Sequence, residues 1–175
     1  MFRTIFQIVF LASAVLVLAS CSKEEAITTI TSIKEIGEFA VYKVQDADLL
    51  TAKDNDVEVK NIVYTDALIC VDFSKIKITT SDSKPHVYEV TFPEFTVQRP
   101  RVIHDPKKTR VWKVSASLGK STTRVDNALK RQAEKSIAKK AQSPERMGPA
   151  KEQAKRIVEE MVRAKDKKAS FIWNP

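Results

Sequence analysis

Up to about residue 118 the apolar residues of this chain tend to alternate, and from Ser121 onward they recur every three or four positions. A period of two belongs to strands and a period near 3.6 to helices, so the late switch divides the chain into a strand-rich body and a helical end. That order specifies an α+β fold: an antiparallel-rich sheet covered on one face by two C-terminal helices, with a short final strand.

The segments can be placed more closely. Ile27, Ile30, Ile33 and Ile36 recur near helical spacing and Gly37 can end the turn, which predicts a short lead-in helix. Residues 39–44 read as the first strand, 46–56 as a polar loop apart from Leu49-Leu50, and 57–64, 67–73 and 75–79 as further strands. Tyr88, Val90 and Phe92 share a face, but beyond Pro93 the large apolar residues are Phe95 and Val97, so the alternation slips by one. A bulge or bend at Pro93 keeps the core face inward. Asp105-Pro106-Lys107-Lys108 looks like a hairpin turn between 101–104 and 110–118, the latter presenting Trp112, Val114, Ala116 and Leu118 to the core.

In the helical part, Thr123 and Asp126 resemble a capping box, followed by a stripe of Val125, Leu129, Ala133, Ile137 and Ala141. The stripe is narrow, so this helix is expected to lie on a surface with Lys130, Arg131, Lys135, Lys139 and Lys140 in solvent. Ser143-Pro144-Glu145 suits the start of a second helix, and Gly148-Pro149 offers a break and restart. Ala150, Ala154, Ile157, Val158 and Met161 form its apolar face, with an end near Lys168. Phe171-Ile172-Trp173 reads as a last strand, the other reading being an aromatic tip that enters an interface.

The N-terminus carries an address. An uncharged apolar run, 8–18, follows a single Arg3 and is too short to cross about 30 Å of hydrocarbon as a helix. It ends in Leu18-Ala19-Ser20-Cys21, which resembles the lipobox of bacterial lipoproteins, and the chain then turns polar at Ser22-Lys23-Glu24-Glu25. A membrane helix over residues 2–21 is the competing reading. The resemblance implies a signal peptide at 1–20, cleavage before Cys21, and a diacylglyceryl group with acyl chains such as palmitate on that residue. A tether at 21–27 and a single α+β domain at 28–175 follow. Two or more acyl chains anchor firmly where one does not. Ser22, in place of the Asp that retains lipoproteins at the inner membrane, implies the outer membrane of a double-membrane envelope, at its periplasmic face or, if Lys23-Glu24-Glu25 is an export signal, at the cell surface. Of the two cysteines only Cys70 is then left as a thiol; it sits in Ala67-Leu68-Ile69-Cys70-Val71 and reads as a core residue.

The net charge of +8 conceals a division. Residues 22–100 hold 9 Lys and Arg against 14 Asp and Glu, whereas 101–175 hold 20 against 8. Such asymmetry marks a surface for an anionic partner, which outside the cytoplasm means anionic lipid, a glycan or an acidic envelope protein, nucleic acid being disfavoured by compartment. The plainer reading is that these charges are the solvated faces of two helices.

Val71-Asp72-Phe73-Ser74-Lys75-Ile76, then Thr91-Phe92-Pro93-Glu94, then Val102-Ile103-His104-Asp105-Pro106, an Ala-rich helical segment and a closing strand together resemble the bacterial family catalogued as domain of unknown function 4230. The likeness covers residues 28 to 173. Members are usually tethered by one N-terminal membrane helix, for which this chain substitutes its cysteine. The resemblance implies fold and address, and no activity that could be carried over.

Enzyme signatures are lacking. The three glycines, Gly37, Gly119 and Gly148, are too far apart for a phosphate-cradling loop, and nucleophile-elbow, two-cysteine and His-Glu-x-x-His patterns are absent. A metal shared by His86 and His104 would need them adjacent with Asp105 or Glu89 beside them. No catalytic residue, metal site or cofactor is therefore expected. The sequence reads as a lipid-anchored, noncatalytic binding or scaffolding module whose basic face is Lys130, Arg131, Lys135, Lys139 and Lys140. The alternative is a carboxylate-dependent hydrolase or carbohydrate-active domain built on the acidic half.

Overall fold

Asn55 takes a positive φ of 52° and with Asp56 reverses the chain in two residues, a left-handed backbone that Asn tolerates better than most residues. The turn joins two long strands that are hydrogen-bonded neighbours, β1 (Glu38–Asp54) and β2 (Val57–Asp72). In this computed structural model, residues 30–81, 83–103, 110–115 and 122–174 are described. A short helix at 30–35, α1, precedes β1. After β2 come a 3-10 turn (Phe73–Lys75), β3 (Lys77–Ser81), β4 (Lys84–Thr91), β5 (Thr96–Val102), β6 (Arg110–Ser115), α2 (Thr123–Ala141), α3 (Pro144–Arg163) and β7 (Ser170–Asn174). The α+β class, the two C-terminal helices and the short closing strand are as anticipated. The strands divide between two antiparallel-rich sheets.

Contacts gather the chain into two compact units. Among the described residues, the first takes those up to Phe39, those of Asp72–Glu94 and those from Lys155, and the second those of Ala40–Val71 and Phe95–Ala154, so α3 contributes to both. In the first unit, Gly37 adopts φ 67° and closes α1 through bonds from Ile36 N–H to the Ile33 carbonyl and from Gly37 N–H to that of Lys34. Its own carbonyl accepts from Phe73 N–H at 2.8 Å, fixing the 3-10 turn to the end of α1. The sheet order is β3-β4-β7, antiparallel between β3 and β4 and parallel between β4 and β7. Ile33, Phe73, Ile76, Val90, Val158 and Val162 are buried.

In the second unit β2 is central, with β1 on one side. On the other side β5 pairs with residues 65–70 of β2 and β6 with residues 58–62, both antiparallel. Two strands antiparallel to the same neighbour run in the same direction, so β5 and β6 are not the hairpin expected around residues 105–108; they follow one another along one edge. Residues 104–109 lie outside the described residues. Val114, expected in the core, is 50% exposed on this edge strand, while Ala116 and Leu118 lie outside the described residues. A register shift between Asp66 and Leu68 marks a bulge, and it lets 57–64 and 67–72 form one strand.

Three other expectations change. Residues 46–54 are strand, with strictly alternating exposure whose inward positions are Asp46, Asp48, Leu50 and Ala52. Leu50 and Ala52 pack on Val57, Val59, Val125 and Leu129, but aspartates at the other two positions hide the pattern. At Pro93 the bend is larger than a bulge: residues 92–95 are irregular and carry the chain from one sheet to the other. Finally, α3 runs unbroken through Gly148-Pro149 and ends at Arg163. Gly148 has no Cβ to clash with the following proline ring, and Pro149 lies close enough to the N-terminus that few ladder bonds are disturbed.

Candidate functional site

The basic helix α2 is placed by its apolar stripe. Val125, Leu129, Ala133, Ile137 and Ala141 are all buried, and the helix lies against β5. Its N-cap is Thr122 and not Thr123; the Thr122 hydroxyl bonds the Asp126 carboxylate at 2.9 Å, a side-chain pair in place of the expected capping box. With the stripe inward, Lys130, Arg131, Lys135 and Lys139 are exposed. Arg124, seven residues before Arg131, is exposed on the same face. None of these five has an ion-pair partner among the described residues. Arg131 with Lys135, and Lys135 with Lys139, are like charges four residues apart, each pair destabilising a helix by about 0.2–0.5 kcal/mol. Glu134, three residues after Arg131 and four after Lys130, offsets part of this repulsion, but Lys135 has like charges four residues away on both sides.

Lys140 is different. Its ammonium donates to Asp46 at 2.7 Å and to Asp48 at 2.5 Å, and Asp48 also accepts from the Ser136 hydroxyl at 2.8 Å. The bonds to Asp46 and Asp48 raise the Lys140 pKa, and the bond from Lys140 lowers that of Asp46. Of the five basic residues singled out in the sequence, Arg131, Lys135 and Lys139 form an open face, Lys130 is exposed beside the buried stripe and Lys140 is engaged within the fold. Arg124 was missed, although its spacing from Arg131 is two helical turns.

Two further charge clusters lie in the described residues. In the second unit Asp66, 3% exposed, accepts from Arg101 at 2.6 and 3.2 Å and from Lys43 at 2.9 Å, a bridge across β1, β2 and β5. The Arg101 guanidinium and then Lys43 hold its carboxyl below the ordinary range, outweighing burial. In the first unit Asp166 bonds His86 Nδ1 at 2.9 Å and the Tyr88 hydroxyl at 3.2 Å. Burial alone would raise this carboxyl, but bonds from His86, the Lys168 N–H and Tyr88 lower it. Beside it Tyr88, Phe171, Trp173 and Phe92 stack in sequence at 5.4–5.8 Å, with Lys155 over Trp173 and Arg163 over Phe171. This ladder holds β7 and the end of α3 on the sheet.

A general acid needs a carboxyl pushed upward, whereas every described carboxyl with a clear shift, Asp46, Asp66, Asp72 and Asp166, is lowered. A serine–lysine pair needs a lysine that gives up its proton, and Lys140 beside Ser136 is held protonated. Among the described residues no three His, Cys, Asp or Glu side chains gather as metal ligands. The ring of His86 is taken by Asp166 and Glu89 is exposed, while His104 and Asp105 lie outside the described residues, as does Cys21. Cys70 is buried.

The pattern of the protein family of unknown function DUF4230 matches residues 31–171. The chain belongs to this family. DUF4230 membership thus covers every described strand and both C-terminal helices, stopping only inside β7. The chain matches no curated protein and no solved structure at a significant level. Function has to be argued from the surface described above.

Proposed function

We propose that this DUF4230 protein is a lipoprotein of the bacterial envelope, anchored through an acylated Cys21, whose 28–175 region is a noncatalytic binding or scaffolding module. The outer membrane is its proposed location, at the periplasmic face or the cell surface. The contact surface is the open face of α2, formed by Arg124, Arg131, Lys135 and Lys139, with Lys130 exposed on its flank. The observation that carries this reading is that Arg124, Arg131, Lys135 and Lys139 stand opposite a fully buried stripe with no acidic ion-pair partner among the described residues, while Lys140 on the same helix is paired. The lipobox-like Leu18-Ala19-Ser20-Cys21 supports the anchor.

Two experiments test the two halves. Mass spectrometry of the protein from cells should find Cys21 as the N-terminal, acylated residue; an unmodified Cys21 in an uncleaved chain contradicts the anchor. Reversing Arg131, Lys135 and Lys139 to Glu should abolish retention by an anionic partner and its salt dependence. Unchanged retention removes α2 from the account.

A further inference from the structure

Resting on that reading, we infer that the anionic partner of the α2 face is the plane of phospholipid headgroups of the same bilayer that holds the Cys21 anchor, so that α2 lies along the membrane surface.

Three observations lead here. The first is the composition of the face: between and beside its cations stand Asn127, Ala128, Gln132 and Gln142, all exposed, with the half-buried Glu134 at its border and no large apolar or aromatic side chain. Stable protein partners seat aromatic or aliphatic anchors in a desolvated centre. A face of cations among small and neutral polar groups lacks such anchors, whereas a headgroup plane requires only charge. The second is geometry. Arg124 to Lys139 spans fifteen residues of straight helix, or about 22 Å. A line of cations that long matches an extended charged plane better than a single acidic side chain. The third is distance: from Cys21 to the start of the described helix at residue 30 the chain reaches at most about 30 Å, even fully extended. The anchor therefore holds the domain near the bilayer, where the raised effective concentration strengthens a surface attraction that the free protein also has. Each basic residue at an anionic surface strengthens adsorption by roughly fivefold.

The test uses the mature acylated protein in vesicles of phosphatidylcholine, with or without phosphatidylglycerol. The reactivity of each lysine toward an amine-acylating reagent is read by mass spectrometry. Lys135 and Lys139 should react about threefold or more slowly on the anionic vesicles at low ionic strength, and the difference should shrink near 0.15 M salt, where the screening length is about 8 Å. Lys53 is exposed on β1, on the sheet face away from α2, and should react equally on both. In the Arg131→Glu/Lys139→Glu variant, Lys135 should regain full reactivity. Equal reactivity of Lys135 and Lys139 on the two vesicle types overturns the inference, as does protection that arises only when other envelope proteins are added. The intact mass of the same sample separates the two claims: absent acyl chains count against the anchored reading itself, whereas an acylated protein with a flat lysine profile contradicts only the membrane-lying helix.

Discussion

Asp66 is a buried acid on the central strand β2, and its surroundings explain why it is tolerated there. A nearly buried carboxylate needs charged partners, and Arg101 and Lys43 supply them from the two flanking strands. Both cations are partly exposed, so they can be resolvated when the acid is removed. Asp66→Asn should therefore destabilise the protein by about 1–3 kcal/mol, the scale of charge-assisted hydrogen bonds, as read by urea denaturation; a change within experimental error contradicts the assigned role. The pH dependence has a definite sign. The folded pKa values of Asp46, Asp66 and Asp166 are lowered, so their stabilisation is complete above the ordinary carboxyl pKa of about 4 and is lost as pH falls through the lowered values. Thermal midpoints should be insensitive to these groups between about pH 5 and 7, fall below about pH 4, and fall less steeply in Asp66→Asn. The lone charge in Thr65-Asp66-Ala67-Leu68 was a readable sign that a partner exists, but which cations supply it depends on strand register, which no local pattern carries.

At the scale of elements, legibility followed local periodicity. The α2 stripe was readable residue by residue, because five buried positions four apart have few competing interpretations. β1 was not readable beyond Val44, since two inward positions hold aspartates that are neutralised only by a lysine 92 and 94 positions further on. The arrangement of β5 and β6 escaped for a related reason: a proline-containing turn looks the same locally whether the next strand folds back or continues along a shared neighbour. In α3 the proline was over-weighted as a breaker. Pro149→Ala restores a helical N–H and removes a ring clash, so it should stabilise the protein by about 1 kcal/mol or more, measured by thermal unfolding. On α2, Lys135→Glu turns two repulsive pairs into attractive ones and should add roughly 0.8–2 kcal/mol, while weakening any attraction to anions. A variant that gains stability and loses binding is the behaviour of a face kept basic for a partner; one that gains stability and binds as before argues that the charges only solvate the helix.

For the whole molecule, acidic and basic residues are sorted for two different uses. Acids such as Asp46, Asp48, Asp66 and Asp166 are used inside the units, pairing with Lys140, Lys43, Arg101 and His86. Part of the cation excess of the C-terminal half forms the open α2 face. The charge asymmetry was legible in the sequence, but its division into internal partners and an open face was not, because both uses draw on the same short helix. Cys21→Ala should leave an uncleaved precursor, visible as a heavier band in a cell-envelope fraction; normal processing contradicts lipidation. The central claim is tested most directly by co-sedimenting the unacylated 22–175 chain and its Arg131→Glu/Lys135→Glu/Lys139→Glu variant with phosphatidylglycerol and phosphatidylcholine vesicles, at low and physiological salt. The account predicts that the unaltered chain pellets only with the anionic vesicles, less so as salt rises, and that the variant stays in solution. Equal sedimentation of the two chains would contradict it.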